Sequence, residues 1–151
     1  VTQVTVHLEG TDALARALDN LRDQAGVAAG VATDRMASVA KTAIHTNLNL
    51  TSHAPGTPTP SPPGFPPSRI TGQLDDSVRE TLRHHEPDRG HAENHVAPTA
   101  VYARIQELGG WTGAGHQTYL PSRPYVRPAL ERARRELARA AEDAFREVVE
   151  G

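Results

Sequence analysis

Between positions 84 and 95 the chain reads HHEPDRGHAENH, and seven side chains there could do chemistry: His84, His85, Glu86, Asp88, His91, Glu93 and His95. Imidazoles and carboxylates bind zinc, nickel and similar ions, so one reading is a small metal-dependent hydrolase or nuclease built on this segment. The spacing argues against a defined site. Pro87-Asp-Arg-Gly90 is turn chemistry, which makes its flanks the arms of a hairpin, where successive residues point to opposite faces. His84 and His85 therefore cannot easily share a metal, and no H-E-x-x-H pair is present. The plainer reading is a polar, exposed hairpin. The chain also lacks a G-x-S-x-G elbow, a P-loop and a dinucleotide fingerprint. The glycine-rich run after Leu108, GGWTGAG, neither follows a clear strand nor opens a helix, so it is a poor phosphate cradle. Asp75-Asp76 is read as solvated charge near a helix start. No catalytic residue, cofactor or metal is assigned, and no enzymatic activity is expected.

The elements that would carry these residues follow from periodicity. Val4, Val6 and Leu8 alternate with polar residues as a short half-buried strand ended by Gly10. Thr11 or Asp12 can cap the helix that follows. Leu14, Leu18, Leu21, Ala25, Ala28, Ala32, Val39, Ala43 and Ile44 recur at three- and four-residue spacing, one apolar face over about eight or nine turns. Gly26 and Gly30 interrupt it; they mark either a local weak point, the plainer reading, or a place where another backbone packs close. Asn47 and Asn49 signal the end. From Thr51 to Ser68 seven residues are proline, which predicts an extended, PPII-like or mobile loop over about 51–69, a candidate lid, arm or oligomer contact. A ligand for a proline-binding groove on a host protein is a further possibility for it.

Thr71 can cap a short turn carrying Leu74. Residues 77–97 read as an antiparallel hairpin with Val78, Glu80 and Leu82 on one side. Val101, Ile105 and Leu108 share a helical face that Gly109-Gly110 ends. Beyond the glycine-rich loop, Arg123-Pro-Tyr-Val-Arg-Pro-Ala-Leu130 leads into a last helix over about 128–150, with Pro128 at its start. Its apolar face holds Leu130, Ala133, Leu137, Ala140, Ala141, Ala144, Phe145 and Val148. Its charges form a solvated face with pairs such as Glu131–Arg135.

Composition sets outer bounds. The 151 residues are expected to form a single domain, and with aromatics at only 4% its core will be lean, so part of its burial is expected to come from partners. A formal net charge of −2 gives no global field to hold nucleic acid. The chain has no cysteine, and no apolar run approaches the ~20 residues that span a bilayer. The first ten residues lack the pattern of a signal peptide; a soluble protein made inside the cell is expected. Phe65, the one large apolar residue of the proline loop, and Trp111, a contact residue or one tucked onto its own core, are interface candidates. Tyr125 and Val126 are expected to press onto the sheet. Tyr125 is kept among the interface candidates with Arg123 and Arg127, whose alternative role is to snorkel over apolar neighbours.

Three separated motifs resemble one family. TGQLDDSV, with Thr71, Gly72, Leu74, Ser77 and Val78, resembles the Thr-Gly-x-Leu-x-x-Ser-Ile/Val signature of the neck or tail-completion proteins of long-tailed, siphovirus-type phages. Tyr102-Ala103-Arg-Ile-Gln-Glu107-Leu-Gly109 is similar to that family's Tyr-Ala-x-x-x-Glu-x-Gly. The stretch from Arg123 through Pro124 and Pro128 looks like its Arg-Pro-Phe-Leu-x-Pro-Ala lead into the last helix. The order is right over about residues 8–150, although a proline-rich insertion separates Ala54-Pro55 from Thr71-Gly72. The resemblance implies an α+β fold, a small antiparallel sheet with a long N-terminal and a C-terminal helix packed on it. It also implies a structural subunit of the virion, made in the host cytoplasm. Such a subunit forms a homo-oligomeric, hexameric ring at the head–tail junction, between the head-completion (stopper) protein and the tail terminator or tail tube, around the channel through which DNA passes. A tail terminator capping the tail tube is the alternative within the same setting.

Overall fold

A computed structural model describes residues 10–57 and 59–150, so the strand expected at Val4, Val6 and Leu8 lies outside the described residues. The fold is α+β. Helix α1, Thr11–Leu48, is the spine. Helix α2, Gln73–Asp76, is one turn. It leads into a hairpin of β1, Val78–Glu86, and β2, His91–Pro98, closed by a 3-10 turn at Pro87–Arg89. Helix α3, Ala103–Leu108, precedes a second hairpin of β3, Gly110–Thr112, and β4, Thr118–Leu120. Helix α4, Val126–Glu150, runs back antiparallel along α1. Among the described residues the antiparallel structure is two separate two-stranded sheets, and the glycine-rich run expected as loop is a small hairpin with Trp111 opposite Tyr119.

The first hairpin lies lengthwise on α1. Val96 packs near Ile44, Asn94 donates to Asp34, and the turn at Pro87 reaches Gly26. Its expected alternation fails midway. The pairing register shifts between Glu80 and Leu82, and such a bulge re-aims the side chains beyond it. Val78 is buried, but past the shift Arg83 and His85 face α1 while Leu82 is exposed.

Gly26 and Gly30 are contact points rather than weak points. A Cβ at Gly26 would sit 2.0 Å from the backbone oxygen of Pro87, and one at Gly30 would sit 3.1 Å from His85 Nδ1. The glycines let the hairpin approach the helix axis where any side chain would hold it off.

Several expectations on α1 and α4 are corrected. Neither Thr11 nor Asp12 caps α1; Gly10 precedes it at φ 87° without a side-chain cap. Leu14, Leu18 and Leu21, assigned to the buried face, are 62, 57 and 53% exposed. The leucines lie on the side of α1 that α4 covers further along, and Glu147 near the end of α4 already bonds Arg35, so among the described residues no other element covers the first four turns. The buried residues lie on two sides of the helix: Gly26, Gly30, Ile44 and Leu48 on the side where the hairpin packs, and Ala28 and Ala32, which belong to the expected face, on the opposite side, with Asn47 between them. Val101 precedes α3 and is wholly exposed, and Leu108 is exposed as well. On α4, Phe145 is largely exposed, and Glu131 pairs with Arg127 at 2.9 Å. That (i, i+4) bond takes the place of the expected Glu131–Arg135 pair.

Candidate interaction surfaces

The three motifs, at 71–78, 102–109 and 123–130, meet at one joint around the C-terminal end of α1. Its centre is a small apolar cluster of Ile44, Leu48, Val78, Tyr125 and Ala129, with Leu74, Val96 and Val126 against it. Tyr125 is completely buried, and its hydroxyl donates to the carbonyl of Ala103 at 3.3 Å. Burial raises its phenol pKa, with the nearby charge of Glu107 second, so the phenol stays protonated.

Glu107 holds the N-terminus of α4. Its carboxylate accepts from the backbone N–H groups of Tyr125, Val126 and Arg127 at 2.7, 2.9 and 3.0 Å. These are donors that a helix start leaves unpaired, and an anion is favoured there by the helix dipole. Pro128 falls inside this first turn, where its missing N–H costs nothing. The helix therefore starts two residues before the expected position. Asn47, read from sequence only as an end signal, is buried at the same joint. It donates to the carbonyl of Tyr125 at 2.7 Å and accepts from Arg132. No local pattern marks it, because both partners lie in α4 or just before it.

The remaining motif residues complete the joint. Gly72, at φ 82°, is buried beside the Arg69 guanidinium, and a Cβ there would meet Arg69 at 2.8 Å. Thr71 Oγ1 accepts from Gln73 N–H at 3.3 Å, but the N-cap of α2 is Gly72, so Thr71 bonds from the residue before the cap rather than capping the turn as expected. Ser77 is buried and donates to the carbonyl of Leu74 at 2.7 Å, while its own carbonyl accepts from Thr99. The Tyr102 hydroxyl faces Gln73 at 3.4 Å, and Ala103 is buried. At Gly109 a Cβ would lie 2.7 Å from Ser122 N, so only glycine lets the chain pass there. Pro124 is half-buried between Arg123 and Tyr125.

Asp75 corrects the reading of a solvated acidic pair. It lies against the last turn of α1, within 2.5 Å of His45 Nδ1 and 3.0 Å of Asn49 Nδ2, with Arg69 3.8 Å away. Burial pushes its carboxyl up. The hydrogen bonds from Asn49 and His45 and the charges of His45 and Arg69 outweigh that, and the net shift is downward. A depressed carboxyl stabilises the fold fully above its unfolded value, about 3.9. That contribution is lost as pH falls through the lower folded value. Asp75→Asn is expected to remove about 2 kcal/mol at pH 7 and to flatten the loss of stability below pH ~4. Urea midpoints across an acid series check this; parallel curves for the two proteins would refute it.

Among the interface candidates, Arg123 is corrected to an internal residue, and Tyr125 is buried against Val78 of β1, as its expected packing on the sheet requires and its interface role does not. Arg123 Nε donates to the carbonyl of Ser61 at 2.8 Å and its N–H to that of Gln106 at 2.7 Å, which ties the proline loop to the joint. The loop is pinned further where Ser61, Ser68 and Thr51 hydroxyls meet at 2.7 and 2.9 Å. Phe65, Trp111 and Arg127 are on the surface. Trp111 stands edge-on to Tyr119 at 5.4 Å, so it rests on its own hairpin and still presents most of its area to solvent.

The histidine-rich hairpin forms local ion-pair contacts. His84 faces Glu86 at 3.0 Å, and Glu93 lies 2.6 Å from His95 and 3.9 Å from His91. His85 turns to the other side, 3.4 Å from Asp34. Burial raises the Asp34 carboxyl, but hydrogen bonds from Arg83 and Asn94 and the Arg83 charge lower it on balance. Among the described residues no three histidine or carboxylate side chains converge as a metal site, and no helix is long and apolar enough to cross a membrane. No protein-family model, curated protein or solved structure matches the chain.

Proposed function

We propose that the chain is a structural head-to-tail connector of a siphovirus-type phage, a neck or tail-completion subunit with no enzymatic activity of its own. It assembles as a homo-oligomeric ring around the DNA channel, between the head-completion ring and the tail. One observation carries this reading. The three motifs on which the resemblance rests occupy one packed joint, with Glu107 from the second capping the helix that the third begins. A residue set shared with a family by chance has no reason to be mutually bonded. The exposed apolar residues, which include Leu14, Leu18, Leu21, Val101, Leu108 and Trp111, suit a subunit whose burial is completed by neighbours. A net charge of −2 suits a channel through which phosphates must slide rather than stick.

Imaging of tailed particles carrying a tagged copy tests the reading. The tag is expected at the head–tail joint, and particles made without the protein are expected as unjoined heads and tails. Joined, infectious particles lacking it would end the proposal.

A further inference from the structure

The first four turns of α1 extend past the hairpin turn at Pro87 as an arm that no other described residues cover. Leu14, Leu18 and Leu21 form a stripe on it, and on a helix advancing 100° per residue Asp12, Arg16, Asp19 and Asp23 fall on the opposite face. The stripe can therefore be buried without burying those charges. At the other end of the molecule an open groove of about 560 Å³ lies between α3 and the start of α4, with Pro98, Leu108, Val126 and Leu130 in its apolar lining and two opposite-charge sets, Arg104 and Arg127 against Glu107 and Glu131, in its polar lining. Roughly 45 Å of continuous helix separates Leu18 from Leu48 at the joint, so the arm cannot reach its own groove.

The exposed area indicates what covers both. The chain presents 10706 Å² of surface, where a compact monomer of this mass presents about 7,400 Å². Even if the eleven residues outside the described set were exposed as in an unfolded chain, they would account for only about 1,700 Å² of the difference. About 1,600 Å² remains. A subunit that contributes ~800 Å² to each of two standard interfaces loses about that much. Two unlike apolar patches at opposite ends of one molecule are satisfied together by a head-to-tail contact, which closes into a ring when the rotation permits. Arm-to-arm pairing would leave the groove open.

Resting on the ring reading above, we infer that the arm's leucine stripe of one copy seats in the α3–α4 groove of the next copy, and that this contact is the repeating interface of the ring. Because the chain has no cysteine, disulfide trapping tests it directly. L18C and L108C alter exposed side chains, so the fold is kept. In the double variant, oxidation is expected to give a ladder of covalent multimers ending at one ring size, read on non-reducing gels and by native mass spectrometry. Mixing the two single variants should give one heterodimer, and R16C paired with L108C, on the wrong face of the arm, should give none. Dimers from L18C alone, or no ladder from the double variant, would overturn the interface. Particles that carry the protein at the head–tail joint without this cross-link would overturn the interface and leave the connector reading standing. A ladder from purified protein, with particles free of it, would do the reverse.

Discussion

Replacing Tyr125 with alanine is expected to cost about 3–5 kcal/mol of folding stability, the range for deleting a fully buried aromatic side chain. The ring fills the space between the end of α1, the start of β1 and the start of α4, and no solvent reaches it. A domain of this size has only about 5–15 kcal/mol in total, and its central apolar cluster holds few other large side chains. The loss should therefore move the urea midpoint far enough for part of the protein to unfold at 37 °C. Tyr125→Phe separates packing from the hydroxyl. It removes one hydrogen bond, to Ala103, and keeps the ring, so about 1 kcal/mol is expected. Equal losses in the two variants would mean that the hydroxyl, not the ring, supports the joint. If alanine cost less than 1 kcal/mol, the placement of Tyr125 would be wrong.

The second large effect has the opposite sign from local propensity. Gly26→Ala improves an exposed-helix position by roughly 1 kcal/mol. Here, however, the new methyl group would meet the backbone oxygen of Pro87 at 2.0 Å. Backbone on both sides cannot swing away as a side chain can, so the hairpin must lift off α1. A net destabilisation of about 1–3 kcal/mol is expected, together with faster amide exchange across β1 and β2. Gly30→Ala is the matched control. Its methyl group would meet the ring of His85 at 3.1 Å, and a side chain can rotate aside. That variant should lie near neutral. Stabilisation of both variants would show that the hairpin does not press on the helix.

Legibility followed the range of the interaction. Helices α1 and α4, the first hairpin with its Pro87–Gly90 turn, and the stop at Gly109 could all be read from spacing, because neighbours along the chain decide period and turn chemistry. Burial was read less well. The leucines at 14, 18 and 21 share a face with Ala28 and Ala32, yet only these two alanines are covered, since no other described element reaches the first four turns. Periodicity states that a face is apolar; it does not state what lies opposite. The same limit applied to Asp75, Arg123 and Tyr125. Asp75 and Arg123 looked like surface from their neighbours in sequence, Tyr125 was read both as packing on the sheet and as an interface candidate, and each is bonded or packed by residues 26 to 81 positions away.

By itself the sequence determined the α+β class, the two long helices, the polar hairpin and the three motifs, all of which rest on contacts within a few residues. Only the tertiary structure decided that those motifs form one joint, that Glu107 caps α4, and that two glycines seat a hairpin on α1. It also decided that the arm and the α3–α4 groove stay open. The reason is physical: a hydrogen bond or a buried ring depends on which distant segments arrive at the same point, and local propensity carries no record of that distance.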